Sequence, residues 1–213
     1  MVSTKEKVKI RKVNSTEKII INEIVEIHLQ TFQGFFLTFL GRGFLRQLYK
    51  GYTTYEKSAL LVALNDENNA VGFLAYSENI SGFYKYLIKT KLIQFAWYSL
   101  CAFFRKPSAI IRLLKAFSKP GETERKEDYI ELASIGVSPK IKANGVGSAL
   151  IDELKTAVDF KKFKYICLET DAEDNKSANN FYLKNGFILF RSFVTSENRK
   201  MNEYRYTNMV KSL

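Results

Sequence analysis

The spacing of hydrophobic residues predicts a strand and two helices at the start of the chain. Residues 7–13 alternate apolar and basic side chains, which is typical of a half-buried strand. Apolar residues then recur at helical spacing over residues 14–32, with Ser15 as the expected N-cap. A second helix is predicted over residues 41–54, because four apolar side chains fall on one face: Phe44, Leu45, Leu48 and Tyr49.

The rest of the chain continues this alternation of strands and helices. Apolar runs at residues 59–64 and 70–78 flank the turn-forming sequence NDENN and predict an antiparallel hairpin. Six further elements are expected, namely strands over residues 128–139, 164–171, 188–194 and 202–210 and helices over residues 145–160 and 175–187. This order predicts an α/β fold in which a mixed sheet is flanked by helices.

One uncharged apolar stretch, Leu92 to Phe104, stands out from this pattern. As a helix, its thirteen residues would span about 20 Å, which is shorter than the roughly 30 Å hydrocarbon core of a bilayer. We therefore expect no transmembrane segment. Arg105-Lys106-Pro107 should end the helix and Ser108 should cap a second one, so that the region forms a helical hairpin.

Composition favours a single domain over residues 1–213. Hydrophobic residues make up 46% of the chain, and three prolines without a serine- or glycine-rich run leave no linker. The charged N-terminus has no signal-peptide core, so a cytoplasmic protein is expected. Cys101 and Cys167 lie in apolar surroundings and are expected as buried thiols, and the single histidine argues against a histidine-based metal site.

The net charge of +11 is concentrated in one segment. Residues 81–120 contain no Asp or Glu, and they contain eight basic residues: Lys85, Lys89, Lys91, Arg105, Lys106, Arg112, Lys115 and Lys119. That segment supplies +8 of the +11 and leaves +3 for the rest of the chain. A local basic segment indicates a local anionic partner, and without recognition motifs it does not support a nucleic-acid function.

The residues after the predicted fourth strand carry the first sign of chemistry. Residues 142–147, KANGVG, open a helix with two glycines. Glycine lets the backbone approach a ligand closely, and the N–H groups at a helix N-terminus favour an anion. The sequence matches neither the P-loop nor the dinucleotide fingerprint, and a tight turn that binds nothing is the alternative.

Two motifs together resemble the GNAT superfamily of acyl-CoA-dependent N-acetyltransferases. Residues 142–147 are similar to its pyrophosphate loop, [R/Q]-x-x-G-x-[G/A], with Lys142 in place of arginine or glutamine. The later motif N-x-x-A-x-x-[F/L]-Y-x-x-x-G-F is matched in full, at Asn175, Ala178, Phe181, Tyr182, Gly186 and Phe187. The resemblance implies a mostly antiparallel, twisted sheet, with residues 81–128 as an insertion between strands three and four.

The resemblance also implies acetyl-CoA as co-substrate, without a metal. A bulge would splay the fourth strand from the fifth, and the pantetheine arm would pair with the backbone of Ile135 and Val137. Asn175 would hydrogen-bond the same arm. The pyrophosphate would be bound by the loop and the first helical turn, which comprise Lys142, Ala143, Asn144, Gly145, Val146, Gly147 and Ser148.

Two side chains would then carry the chemistry. Tyr182 would protonate the departing thiolate, unless it is only a core aromatic residue. Glu131 stands where the histone-acetylating branch of the family has its general base, and Glu131, Ala133 and Ile135 are expected to alternate onto one strand face, up to the bulge. An ion pair or a water relay are alternative roles for Glu131. Alternative bases are Glu169, Asp171 and ordered water.

Residues 28–49 resemble a bacterial GNAT subgroup that tends to accompany surface-polysaccharide genes. In the family this region lines the acceptor side, so His28, Phe32 and Phe36 are candidate substrate contacts. A satisfied structural histidine is the alternative for His28. The expected function is acetyl transfer to the primary amine of a small molecule, with an amino sugar as the favoured acceptor.

Two other functions and three roles for the insertion stay open. The chain is alternatively a protein or peptide N-acetyltransferase, or an inactive CoA-binding module. The basic insertion indicates an anionic acceptor or surface. It is expected to cover the acceptor cleft, and a homodimer interface and peripheral contact with an anionic membrane are the alternatives.

Overall fold

The computed structural model describes residues 8–103, 128–141, 144–195 and 198–208. In chain order the elements are β1 (Lys9–Lys12), α1 (Lys18–Thr31), α2 (Phe36–Phe39), α3 (Gly41–Thr54), β2 (Ser58–Leu64), β3 (Ala70–Ser77), α4 (Ile80–Phe103), β4 (Tyr129–Val137), a 3₁₀ turn (Pro139–Ile141), α5 (Val146–Ala157), β5 (Tyr165–Asp171), α6 (Lys176–Lys184), β6 (Ile188–Val194) and β7 (Lys200–Tyr206). The predicted mixed α/β architecture is confirmed.

The seven strands form one sheet in the order β1-β2-β3-β4-β5-β7-β6. All neighbouring strands pair antiparallel except β4 and β5, which are parallel. The parallel pair lies near the centre of the sheet, with β1, β2 and β3 beyond β4 and with β7 and β6 beyond β5. The expectation of a mostly antiparallel sheet is therefore confirmed.

Two hydrophobic cores, one on each face of the sheet, hold the helices in place. The first core lies under α1, α3 and α4, and the second lies under α5 and α6. The alternation along β3 serves both, since Phe73 is buried in the first core and Leu74 in the second. Each buried side chain of this size stabilises the fold by roughly 1.5–3 kcal/mol.

The start of α1 differs from the prediction. Ser15 is not the N-cap, because the helix begins at Lys18 and Glu17 occupies the capping position. The Glu17 carboxylate is bonded to the Arg11 guanidinium and accepts the backbone N–H of Asn14 at 2.7 Å. These contacts hold residues 14–17 in a turn that ties the helix to β1.

The helix α4 is also longer than its apolar stretch predicted. It has twenty-four residues and starts at Ile80, because Phe83 and Leu87 are fully buried one helical turn apart in the first core. Leu87 packs onto Gly51 of α3, and Phe95 lies 4.5 Å from Phe44 between ring centroids.

The second helix of the predicted hairpin falls on residues outside the described ranges, so the hairpin stays a prediction. Among the described residues, none of the helices combines the length and apolar content needed to cross a bilayer.

Candidate active site

The central strands β4 and β5 separate partway along their length. They pair only from Tyr129 to Glu131 on β4 and from Tyr165 to Cys167 on β5, although the strands continue to Val137 and Asp171. The backbone of β4 beyond Glu131 is therefore not paired with β5. The two diverging strands leave an opening at the centre of the sheet.

A β-bulge in β4 accompanies this separation. Leu132 pairs with Tyr76 of β3, but the next pair joins Ser134 to Ala75, so Ala133 is the additional residue. Both features that the resemblance implied for this strand, the bulge and the divergence, are present.

The bulge overturns one detail of the sequence interpretation. Glu131 and Ile135 were expected on the same face, but the additional residue shifts the alternation by one position. Ile135 and Val137 pack against the second core. A side chain at Gly136 would instead meet Phe73 and Phe32 of the first core.

The N–H groups of Ile135 and Val137 are directed into the opening. Ser138 donates its N–H to the carbonyl oxygen of Val71 on β3 at 2.8 Å. Successive N–H groups of a strand point to opposite sides, so the N–H groups of Val137 and Ile135 point away from β3. On that side β4 has no pairing with β5 beyond Glu131.

Glu131 lies on the first-core side of the sheet, near two tyrosines. Burial raises the pKa of Tyr52 and of Tyr84, and the charge of the Glu131 carboxylate raises both pKa values further. Tyr84 belongs to α4, so this helix contributes a phenol to the surroundings of the Glu131 carboxylate.

Tyr182 lies on the second-core side. Its side chain is 8% exposed and is surrounded by the rings of Phe181, Phe187 and Tyr204, at centroid distances of 5.4, 5.9 and 6.0 Å. Burial raises the pKa of the Tyr182 phenol, which is therefore protonated at neutral pH. Among the described residues its hydroxyl has no hydrogen-bond partner.

The N-terminus of α5 reaches the end of β4. Gly145 caps this helix with φ +81°, a conformation that favours glycine. A side chain at Gly147 would come within 3.1 Å of Phe181 and 3.7 Å of Val137, so its absence brings α5, α6 and β4 together. The first turn of α5 carries no acidic residue, and its N–H groups favour an anion.

The remaining residues of the predicted pyrophosphate loop differ in accessibility. The Val146 side chain is buried in the second core, which leaves only its backbone for a ligand. Asn144 and Ser148 are partly exposed. Lys142 and Ala143 lie outside the described ranges, so the contact predicted for them stays a prediction.

The start of α6 is fixed to the sheet by two asparagines. The amide of Asn175 donates to Thr170 Oγ1 at 3.2 Å. The buried amide of Asn179 donates to the carbonyl oxygens of Asp171 and Asn175, both at 2.8 Å, and its oxygen accepts the Tyr204 hydroxyl at 2.8 Å. Asn179 was not singled out in the sequence, although it is a polar residue three positions before Tyr182.

His28 on the other side of the sheet is buried rather than open to a ligand. It is 3% exposed, its Nδ1 lies 2.6 Å from the Tyr49 hydroxyl, and its Nε2 has no partner among the described residues. Burial lowers the pKa of His28 to about 4, so the ring is neutral at pH 7. This environment fits a structural histidine, but one whose hydrogen bonding is satisfied only at Nδ1 among the described residues.

An open cleft adjoins the end of β4 on the α1 side. The half-buried ring of Phe32 lies 4.6 Å from His28 between ring centroids. The cleft itself has a volume of about 330 Å³ and is lined by Gln30, Thr31, Gln33, Val137 and Pro139. The side chain of Phe36 is not among those described, so its predicted contact with the acceptor stays a prediction.

Comparison with known proteins agrees with this geometry. The model of the acetyltransferase (GNAT) family matches residues 21–187. No curated protein matches the chain in sequence.

Three solved structures illustrate the similarity of fold. A protein from Desulfovibrio desulfuricans, described as a GNAT-family acetyltransferase, is 14% identical with a TM-score of 0.60, over 94% of this chain and 99% of that one. A protein described as a phosphinothricin N-acetyltransferase is 12% identical with a TM-score of 0.57, over 94% and 98%. The NatC complex bound to Gag peptide and CoA contains a chain that is 10% identical with a TM-score of 0.55, over 94% and 98%.

Proposed function

The chain belongs to the GNAT family of acetyltransferases, and on this premise we propose that it transfers the acetyl group of acetyl-CoA to the primary amine of a small molecule. The opening between β4 and β5 carries this proposal, because unpaired N–H groups of Ile135 and Val137 point into it. The opening adjoins Tyr182 and Glu131 on its two sides and the α5 N-terminus at its end.

The residues present fit acetyl-CoA. The amides of a pantetheine arm are suited to the free strand edge of residues 135–137, as a further strand would be. The first turn of α5 carries no acidic residue and presents helical N–H groups, which suit a pyrophosphate. The CoA bound in the NatC structure supports this choice of co-substrate.

When bound, acetyl-CoA supplies a thioester whose carbonyl carbon forms the new bond to the amine nitrogen. The Val137 N–H donates to the carbonyl oxygen and stabilises the negative charge that develops there. Tyr182, which burial keeps protonated, donates its proton to the sulfur that leaves. Asn175 holds the start of α6, and with it this tyrosine, in place.

Glu131 is proposed as the general base, directly or through one water molecule. It lies on the first-core face, whereas Tyr182 lies on the second. A base and an acid on opposite faces of the sheet let the amine approach from one side while the thiol leaves on the other. The amine must lose a proton to react, and the carboxylate accepts it.

For the acceptor we propose an amino sugar that binds next to the half-buried ring of Phe32. Gln30, Thr31 and Gln33 supply amide and hydroxyl groups to the adjoining cleft, and such groups suit a ligand with several hydroxyls. A peptide amine is the second candidate, and the Gag peptide in the NatC structure favours it.

A panel of amines tests this function and separates its two versions. Purified protein is incubated with acetyl-CoA and either amino sugars, amino-sugar nucleotides or peptides, and release of the CoA thiol is measured. Turnover of a sugar amine above the hydrolysis rate is expected. Turnover of peptides alone would indicate that the acceptor is a peptide and not a sugar. Hydrolysis of acetyl-CoA alone, with no acetylated amine across the whole panel, would contradict the proposal.

A further inference from the structure

The solvent-facing side of α4 carries large apolar side chains beside lysines. Lys85, Lys89, Ile93 and Trp97 follow one another at four-residue spacing, so they lie along one face of the helix, with Leu92 next to them. We call these five residues the α4 outer face. All five are exposed, and the apolar ones strongly so: Leu92 is 59% exposed, Ile93 82% and Trp97 69%.

The opposite side of α4 packs against the first core. Phe83, Leu87 and Phe95 are buried in the first core, and Phe95 contacts Phe44 of α3. The residues of the α4 outer face are therefore not part of the hydrophobic core in the described structure. Among the large apolar residues in the described part of the chain, Ile93 and Trp97 are two of the three most exposed. Clustered exposure of this kind marks an interaction surface.

The chemistry of the α4 outer face fits the boundary of an anionic bilayer. Tryptophan is favoured where an apolar body and a polar N–H meet different surroundings, and isoleucine and leucine enter the acyl region. Lysine extends its charged end toward phosphate groups while its stem stays with the apolar side chains. Residues 81–120 contain eight basic residues and no acidic one, so the charge of the segment favours such a surface.

We propose that the α4 outer face binds an anionic membrane surface. Leu92, Ile93 and Trp97 enter the boundary between headgroups and acyl chains, and Lys85 and Lys89 contact lipid phosphates. The helix lies on the membrane rather than across it, in keeping with its length and apolar content. Charge decides between the candidate occupants, because two copies of a basic face repel each other whereas anionic lipid attracts it.

Trp97 makes this proposal directly measurable, since it is the single tryptophan of the chain. Its fluorescence is recorded while vesicles of phosphatidylcholine, with or without phosphatidylglycerol, are added. We expect the emission maximum to move to shorter wavelength and quenching by iodide to fall with the phosphatidylglycerol vesicles. Neither change is expected with phosphatidylcholine alone, and added salt should weaken binding.

Two pairs of substitutions locate the contact. Replacing Lys85 and Lys89 together by alanine should weaken partitioning onto the anionic vesicles about 30-fold, because each lysine near the surface contributes about a factor of five. The matched control replaces Lys161 and Lys184, which are exposed on the α5–α6 side of the sheet, and should bind as the unaltered protein does. Thermal unfolding of all proteins without vesicles verifies that they are folded.

Three results would overturn the proposal. One is unchanged Trp97 emission with anionic vesicles, confirmed by failure of the protein to sediment with them. Another is an emission already typical of a buried indole without vesicles. The third is a shift that depends on protein concentration alone, together with a dimer in sedimentation, which would assign the face to a second copy of the chain.

Discussion

At the scale of residues, the proposed chemistry depends on a phenol and a carboxylate placed on opposite faces of the sheet. Tyr182 lies on α6 among aromatic rings, whereas Glu131 lies on β4, at the point where β4 diverges from β5. Because the phenol has no hydrogen-bond partner in the described part of the chain, its hydroxyl is not needed to stabilise the fold. The hydroxyl is therefore the simplest group to remove in a test of mechanism.

Replacing Tyr182 by phenylalanine should lower kcat by two to four orders of magnitude, as is usual when a general acid is lost. The KM for acetyl-CoA and the unfolding temperature should change little, since the ring stays in place. Steady-state kinetics with the best amine of the panel measure this.

Tyr204→Phe is the matched control. It removes a hydroxyl from the same aromatic cluster, but one that donates to Asn179. It should cost about 1 kcal/mol of stability and leave kcat near its original value. Equal kcat in the Tyr182→Phe variant and the unaltered protein would remove Tyr182 as the acid.

His28 should make stability depend on pH. Its pKa is about 4 in the folded protein against 6.5 ordinarily, so the unfolded chain takes up a proton at higher pH than the folded one. The stabilisation is complete above pH 6.5 and is lost as the pH falls through 6.5 toward 4, by up to roughly 3 kcal/mol. Denaturant unfolding at several pH values, compared with the His28→Gln variant, isolates this effect. The same pH dependence in both proteins would contradict it.

The resemblance of two motifs selected the candidate site residues, but it did not predict on which face of the sheet each side chain lies. Tyr182 and the two glycines of the loop belong to recognisable motifs, and the structure places them around β4 and the α5 N-terminus. The resemblance implied a bulge, but its position at Ala133 depends on pairing with β3, which is distant in sequence, so Glu131 and Ile135 were wrongly expected on one face. Asn179 was missed because most of its partners lie on β5 and β7, far from it in sequence or in other elements.

At the scale of elements, alternate backbone N–H groups of β4 point in opposite directions and have different roles, one in pairing with β3 and one in the proposed chemistry. Val137 points its N–H into the opening, and its neighbour Gly136 points toward β3, where it contributes to the sheet. A proline at each position separates these two roles, since proline removes the N–H group.

Val137→Pro should lower kcat by two to three orders of magnitude, because one donor to the developing oxyanion is lost. Its folding should be largely kept, since the missing N–H takes no part in pairing with β3. Gly136→Pro should instead destabilise the fold by about 3 kcal/mol. Kinetics and thermal unfolding of both variants check this pair. Full activity of Val137→Pro would show that its N–H does not contact the thioester.

The start of α5 gives a second test at this scale. Gly145→Ala forces a side chain into φ +81°, which should cost about 1–2 kcal/mol of stability and raise the KM for acetyl-CoA as the loop shifts. Gly41→Ala imposes the same strain at φ +82° on α3 and should leave that KM unchanged. An equal KM in all three proteins would exclude the loop from cofactor binding.

Elements were predicted best where the pattern is local. The bounds of α3 follow from its own apolar face, and β6 and the hairpin of β2 and β3 follow from turn residues and apolar runs. The start of α4 could not be predicted from its uncharged stretch. Phe83 and Leu87, which lie before that stretch, are buried because they pack against α3. The short α2 also lacks a local pattern of its own.

At the scale of the whole molecule, charge and shape favour a polyanionic co-substrate. The net charge of +11 attracts a phosphate-rich ligand over distances of about a Debye length. The fold places the N-terminus of α5 beside the sheet opening, and this placement suits a ligand with a phosphate end and an amide-containing arm. The position of the opening at the centre of the sheet follows from the spatial order of the strands. The order of elements along the chain did not predict that spatial order.

Thermal unfolding with acetyl-CoA tests the central claim most directly, because it needs no knowledge of the acceptor. Acetyl-CoA at 100 times its Kd should raise the free energy of unfolding by about 2.7 kcal/mol, and Gly145→Ala should need a higher concentration for the same gain. Unfolding that is unchanged by millimolar acetyl-CoA would contradict the proposed function.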